Sequence, residues 1–457
     1  MSFIRKIKKK NSVYLAEVES YREEGKVKQR VIRYVGKEVD GRVVRSVNTD
    51  DIEITSCKRY LDYYLLDCIS NELGLKDKLG KKAKYILLLV YTQLIEHKPL
   101  YKLPEYIEET YLKELLGIGK LIDKNIYKAL DDLEELSFSE IENLIFNKLF
   151  SNSKDKDALI IDITDAYFSG SKVDYKSRRG KDGKVGKLIQ IALAVTKEEG
   201  IPIMHKVYEG NINNVKIFQD FLLEARMKQF SLVLIDRGMS SFENITELNN
   251  LNQKTICGFR MNKKIQSDYL SNIDRDEIFQ PINRVKLKNT SVYVKDFSFF
   301  NGKLIAIYNP EIEIAKRNFA IETDEFDIDK AKYFGYSLVY HNTDMSSQEV
   351  VRLYYERDIV EKAFKELKSS IDLHPIRKYR MDHIKAHIKI CYIAFAILTY
   401  IKQKTKSLGI SPVDVLETLQ SCYIVNLRSE KHNLNWTKTV TLKNQQKLIL
   451  KLLGCSV

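Results

Sequence analysis

DALIIDITDAYFSG, residues 157–170, is where the chain changes grammar. Upstream, residues 50–150 carry apolar side chains at i, i+3 and i+4, the helical period. Here the apolar residues run continuously and are β-branched, which predicts a buried strand. A basic, glycine-rich loop follows, KSRRGKDGKVGK (176–187). LIQIALAVT and IPIMHKVYEG then predict a hairpin around KEEG (197–200). Next come a helix over NVKIFQDFLLEARMKQ with Asn213 or Asn214 as its cap, a strand over FSLVLIDRGM that stops at its aspartate, a helix over SFENITELNNL and a strand over KTICGFR. That order predicts an α/β layer on a mixed sheet.

Two acids interrupt the apolar strands. Asp162 breaks a run of isoleucines, and a carboxylate in a buried strand needs a cation or a hydrogen-bond network. Asp236 closes LVLI at the carboxyl edge, where ligands of open α/β sheets gather. Either one alone reads as an ordinary turn or cap residue; two on neighbouring strands point to a metal site. YYERDIVEKAFKELK (354–368) offers a third acid. Projected on one continuous helix, Tyr354, Arg357, Glu361 and Lys368 fall within about 60° of arc, beside the apolar face. The plain alternative is a solvated helix laced by i, i+4 pairs such as Arg357–Glu361. Together with the aspartates, the stripe predicts three carboxylates closing on divalent metal, with Arg357 and Lys368 for phosphates and Tyr354 stacking on a base or touching the backbone.

The whole composition is that of a folded protein with an excess of positive charge. The chain has 457 residues, 44% hydrophobic and 30% charged, with a formal net charge of +13. An excess of Lys and Arg fits a polyanionic partner, although a lysine-rich coding bias gives the same sum. Six scattered cysteines without a CxxC pair argue against zinc ribbons and disulfide scaffolds and fit a reducing cytoplasm. MSFIRKIKKKN lacks the apolar run of a signal peptide, and YILLLVYTQLI and ICYIAFAILTYI are too short to span a bilayer, so no membrane role is expected.

Tyr354, Arg357, Glu361 and Lys368 fit Y-x2-R-x3-E-x6-K without a gap, and in this the chain resembles bacterial insertion-sequence DDE transposases. LIIDITDAYF, LIQIALAVTKEEGIPIMHKVYEGNINN and VLIDRGMSSFENITEL resemble that family's first-aspartate strand, hairpin and second-aspartate motif, and VYLAEVESYREEGKVKQRVIRYVGK the opening strands of one subgroup. The resemblance implies an RNase H-like (retroviral-integrase-like) core and a catalytic, metal-binding triad of Asp162, Asp236 and Glu361, with Asp165 the runner-up for the first acid. It implies two Mg²⁺ ions, which Mn²⁺ can replace, and Tyr354, Arg357 and Lys368 against DNA. It further implies double-stranded DNA partners (terminal inverted repeats and target), a homodimer on DNA, and a cytoplasmic, nucleoid-associated protein that moves an insertion sequence by cutting and pasting. A nuclease of the same fold that cannot join ends, and an inactive DNA-binding relic, are the competing readings.

The expected organisation is an N-terminal β-hairpin (1–45), a helical DNA-binding region (46–152), the catalytic core (153–261 and 346–405), a β-rich insertion (262–345) and a C-terminal helical tail (406–457). The 125 residues from Asp236 to Glu361 exceed what a strand, a helix and connectors need, hence the folded insertion. The single tryptophan, Trp436, falls in the tail, so a base-stacking role in the insertion would pass to Tyr293, Phe297, Phe299 or Phe300. Asn214 stands where relatives often have Asp, which predicts only a capping change. His383 and His387 in HIKAH are spaced i, i+4 as zinc ligands can be, but no Glu lies between them, and packing or phosphate contact is expected instead. The 176–187 loop is expected to touch DNA near the first aspartate, and RKIKKK (5–10) to be a DNA-binding arm or a frayed end.

Overall fold

A computed structural model describes all residues but 1, 10–11, 40–41, 45–48, 152, 154–157, 169–176, 181–182, 211, 223–229, 374–375, 377, 379 and 457. The 45/46 boundary, the end of the helix expected to run to 229 and part of the 176–187 loop lie outside the described residues. The chain divides into two compact units, residues 1–60 with 420–442, and residues 61–419 with 443–457.

In the first unit, alternating side chains build an antiparallel meander, β1 (Ser2–Lys9), β2 (Ser12–Glu23), β3 (Lys26–Val39) and β4 (Arg42–Val44). The β2–β3 turn is Glu24–Gly25, both at positive φ (50° and 76°), as a two-residue hairpin loop requires. The same unit holds β5 (Glu53–Arg59), inside the region expected to be helical.

The second unit is built on a nine-stranded sheet. Its first half is β6 (Ala158–Tyr167), β9 (Leu188–Thr196), β10 (Pro202–Glu209), β11 (Leu232–Ile235) and β12 (Lys254–Phe259), in the order β10-β9-β6-β11-β12. Between β6 and β9 the basic loop forms a small ribbon, β7 (Arg178–Arg179) with β8 (Val185–Gly186). β9 and β10 form an antiparallel hairpin on β6, whereas β11 and β12 follow parallel. This is the RNase H-like arrangement: three antiparallel strands, then two parallel ones reached through helices. All nine residues of β9 and all four of β11 are buried.

The second half comes from the segment expected to be a β-rich insertion, and its strands join the core sheet. β13 (Arg284–Lys286), β14 (Ser291–Phe299), β15 (Gly302–Tyr308) and β16 (Tyr336–His341) continue the same sheet, because β16 pairs antiparallel with β12, from Ile256↔His341 to Phe259↔Leu338. The free edge of β12 is thereby covered, which removes a row of unpaired backbone groups. The segment also carries a 13-residue helix, Pro310–Glu322, so it is not purely β.

Helices cover the sheet. They include α1 (Ala83–Ile95), α2 (Asp123–Glu135), α3 (Phe138–Phe150), α4 (Asn214–Leu222), α5 (Phe242–Asn250), α6 (Ser347–Tyr355), α7 (Asp358–Ser369) and α8 (Met381–Thr405). α8 packs against α1, α2 and β10. The helical stretch Met381–Leu408 is long and apolar enough to cross a membrane, more than its apolar core suggested, but 89% of its most apolar window is buried in the fold. Ile393, Ile397 and Ile401 are fully buried, each stabilising by about 1.5–3 kcal/mol. The tail is a further correction: between the helices Pro412–Leu419 and Asn444–Leu452 lies a hairpin, β17 (Tyr423–Ser429) with β18 (Leu434–Thr439). β17 pairs with β5 in the first unit, so the tail is not helical throughout.

Candidate active site

Strand register brings the first two acids together. β6 and β11 run parallel with Ile161 opposite Ile235, so the next residues, Asp162 and Asp236, stand side by side on strands about 4.8 Å apart. Asp165 lies three residues further along β6, and the two-residue period turns it to the other face. Asp162, not Asp165, is therefore the neighbour of Asp236.

Two adjacent carboxylates repel unless a cation intervenes, and Arg357 supplies it. Its Nη1 donates to Asp236 Oδ1 at 2.5 Å. Asp236 also accepts from Gly238 N at 3.4 Å. Burial pushes the Asp236 carboxyl up, but the Arg357 charge and hydrogen bond outweigh it and hold the group below the usual carboxylate range. For Arg357, burial works against the charged form, yet Tyr354, Asp236 and Asp162 together raise its pKa. The guanidinium also lies over the Tyr354 ring, 4.6 Å from its centroid. Burial pushes the Tyr354 phenol up to about 12. That ring needs a glycine beneath it: a Cβ on Gly258 of β12 would sit 2.2 Å from the phenol oxygen.

The single-helix projection of 354–368 does not hold. α6 ends at Tyr355 and α7 begins at Asp358, with a turn at Glu356 and Arg357 between them. Lys197, in the β9–β10 turn, bridges to Glu356 at this break at 3.3 Å. The break frees Arg357 from the helical wheel, and it reaches Asp236 rather than pairing along the helix with Glu361. α7 packs on β6 and β9, and Lys368 Nζ donates to Thr164 Oγ1 at 2.7 Å, two residues along β6 from Asp162. Glu361, in the first turn of α7, is exposed. Among the described residues no group of three or more His, Cys, Asp or Glu is placed to hold a metal. The structure thus brings Asp162, Asp236, Tyr354, Arg357 and Lys368 to one region of the sheet and leaves Glu361 outside the carboxylate pair.

A polar pocket of about 400 Å³ adjoins Asp236, lined by Arg178, Ile212, Asn213, Asn214, Gly238 and Arg260. Arg260 donates to Gly238 O at 3.2 Å. Arg178 donates to Gln190 Oε1 at 3.0 Å, and Gln190 in turn to Asn214 Oδ1 at 3.0 Å. The cap of α4 is Asn213, whose Oδ1 accepts from Val215 N. Sequence reasoning missed Gly258, Lys197 and Arg260. Only Gly258 left a signal, a glycine inside a strand pattern, which marks a close approach. His383 pairs with Asp131 at 2.9 Å, and His387 is buried against Leu373 O, so this pair packs between elements. Of the aromatic residues in the sheet extension, Phe299 is buried, whereas Phe300 is 60% exposed at φ 48° in the β14–β15 turn.

Comparison with known families decides what this carboxylate pair belongs to. The transposase DDE domain matches residues 153–397. The chain belongs to the DDE transposase family. The N-terminal domain of IS1634 family transposases matches residues 4–49, within the β1–β4 meander and just beyond it. The transposase is thus an insertion-sequence enzyme of the polynucleotidyl transferase and nuclease class, acting on DNA. No curated protein matches it. Among solved structures it is similar to "Cryo-EM structure of piggyBac transposase synaptic complex with hairpin DNA", at 13% identity and a TM-score of 0.45 over 79% of this chain and 76% of that one. A likeness at that level adds nothing to the fold described above.

Enzymes of this family generally use divalent metals, and the donor chemistry fits. Asp162 and Asp236 are hard oxygen ligands brought together by register, and the fold already balances their charge with a guanidinium.

Proposed function

We propose that the transposase cleaves DNA strands at the terminal inverted repeats of its element and joins the freed 3′ ends to target DNA, with Asp162, Asp236 and Glu361 as the catalytic acids. The observation that carries this reading is that Asp162 and Asp236 directly follow the in-register pair Ile161–Ile235, with Arg357 bonded to Asp236. Two such carboxylates, joined by Glu361, would hold two Mg²⁺ ions, or Mn²⁺ in their place. A bound pair of ions supplies an activated water or 3′-hydroxyl and stabilisation of the leaving oxygen in an in-line displacement at phosphorus.

The protein's own side chains do the rest. Arg357 keeps Asp236 ionised in the free enzyme and passes to a substrate phosphate once that carboxylate is neutralised. Lys368, fixed on Thr164, presents a second cation beside β6. Tyr354 holds the Arg357 plane from below and so sets where the guanidinium points. Arg178 and Arg260 flank the same edge and suit the continuing phosphate backbone. Glu361 must move toward the aspartates, and α7, separated from α6 by a turn, is the element that carries it. The active species is a dimer on paired ends, working at the nucleoid.

The test uses the purified full chain, a plasmid carrying the element ends, and pre-cut ends with a target plasmid. Mg²⁺-dependent cleavage and joined product are expected. Cleavage without joining would make the protein a nuclease of the same fold, and activity surviving Asp236→Ala would end the metal reading.

A further inference from the structure

A second site lies away from the carboxylates. A cavity of about 630 Å³ opens between α1, α2 and α8, ample for a small-molecule or nucleotide-sized ligand. Its floor is apolar, with Leu89, Leu130 and Ile390. Two phenol rings border it and are left open to solvent, Tyr101 at 70% and Tyr127 at 47% exposure. Tyr127 stacks on His383, with centroids 5.9 Å apart and planes 24° from parallel. His383 is held in that plane by Asp131 at 2.9 Å. Lys98, Lys378 and Arg380 line the same cavity, and among its described lining residues there is no carboxylate. Acids pair with the lining residues: Asp131 and Asp382 with Arg380, Glu96 with Lys98, and Asp372 with His97 at 3.8 Å. Such partly exposed pairs contribute little, so their cations can be shared with a ligand at small cost.

Aromatic rings, apolar side chains and three cations lining one cavity are the chemistry of a nucleobase with its phosphate. The cavity is tied to the catalytic strand. Ile376, two residues before Lys378, donates its N–H to Tyr167 O at 2.9 Å and bridges Phe168, at the carboxyl end of β6. A DNA strand leaving Asp162 along β6 would reach this rim within about 20 Å.

We infer that this cavity binds one unpaired nucleotide of a DNA strand, its base against Tyr127 and Tyr101 and its phosphate against Lys378 and Arg380. The inference rests on the reading of the chain as a DNA-cleaving and DNA-joining enzyme, and specifies where a strand that is not paired is held.

Binding of a fluorescent oligothymidylate of about ten nucleotides tests it, against a fluorescent random-sequence duplex, on the full chain without metal. Tyr101→Ala and Tyr127→Ala should each weaken oligothymidylate binding about 5- to 150-fold and duplex binding less than about twofold, with Tyr101→Phe restoring the former. Both rings are exposed, and an unchanged melting midpoint checks that the variants fold. Photocrosslinking with 5-iodouracil in the oligonucleotide should mark peptides containing Tyr101 or Tyr127. Unchanged oligothymidylate binding, or equal losses for strand and duplex, overturns the inference. So does crosslinking by free 5-iodo-dUMP that oligothymidylate fails to compete away, which assigns the cavity to a free nucleotide. The two readings fail separately: wild-type protein that joins ends while the variants bind oligothymidylate normally removes the cavity alone. Variants that lose oligothymidylate binding in a protein that never cleaves DNA remove the catalytic reading alone.

Discussion

The two halves of the proposed triad are built in different ways. Asp162 lies on β6 and Asp236 directly follows β11, and the parallel register that ends at Ile161↔Ile235 sets them side by side. Their neighbours Ile161 and Ile235 are buried, so neither strand can slip without turning its core residues to the wrong face. Glu361 belongs to a helix that starts after a turn, is exposed, and does not join the aspartates. The sheet half is assembled and carries its own counter-ion, while under the proposed function the helix half would have to move to join it. Substitutions can tell the two halves apart.

The largest effects should come from the acids. Asp162→Asn and Asp236→Asn are each expected to cut the strand-cleavage rate by about 10³-fold or more, measured on a plasmid carrying the element ends. Glu361→Gln should cost as much activity but leave the melting midpoint unmoved, because the side chain is exposed. If Glu361→Gln retains wild-type cleavage, the helix half takes no part in the chemistry and the comparison breaks.

Next comes the floor under Arg357. Gly258→Ala drives a Cβ onto the Tyr354 hydroxyl and should destabilise the fold by about 1–3 kcal/mol. Tyr354→Phe in the same chain removes the clashing oxygen and should recover part of that loss, the contacts with Arg237 N and Cβ at 3.0 Å remaining, a coupling read by denaturant midpoints in a double-mutant cycle. Additive losses would mean that the two residues do not meet.

A pH titration sharpens the electrostatic half. Asp236 has a folded-state pKa below its unfolded one. Its contribution is therefore fully present above the unfolded pKa of about 3.9 and is lost as pH falls through the lower, folded value. Unfolding midpoints followed from pH 6 downward should show an acid-limb loss, and Arg357→Met should flatten it. An unchanged limb would show that Arg357 does not hold the carboxylate. The smallest effect belongs to the break between α6 and α7: Lys197→Met removes the bridge to Glu356, whose side chain is 51% exposed, and should cost no more than about 1 kcal/mol.

Much of the site could be seen before folding. Isolated acids in apolar strands are conspicuous because burying a charge is costly, so Asp162 and Asp236 stood out. The four-residue signature named Tyr354, Arg357 and Lys368, yet the helical projection misplaced them, since an angle of 100° per residue holds only while the helix continues. The turn at Glu356 and Arg357 has no Gly or Pro to announce it. Residues 262–345 read as a β-rich insertion, and short strands look alike whether they pair with one another or with β12, so the continuation of the sheet is not legible there. The tail reads as helical throughout because the capped, periodic helices on either side of β17 and β18 dominate the pattern.

From the sequence alone came the strand and helix order from β6 to β12, the apolar core and two of the acids, because burial and backbone period are local properties written into side-chain type. Tertiary structure alone decided which strands are neighbours, that Arg357 answers Asp236 across 121 positions, that Gly258 makes room for Tyr354, and that Glu361 stands apart. Those facts depend on pairings between distant segments, and residue type records a need for a partner without recording which partner meets it.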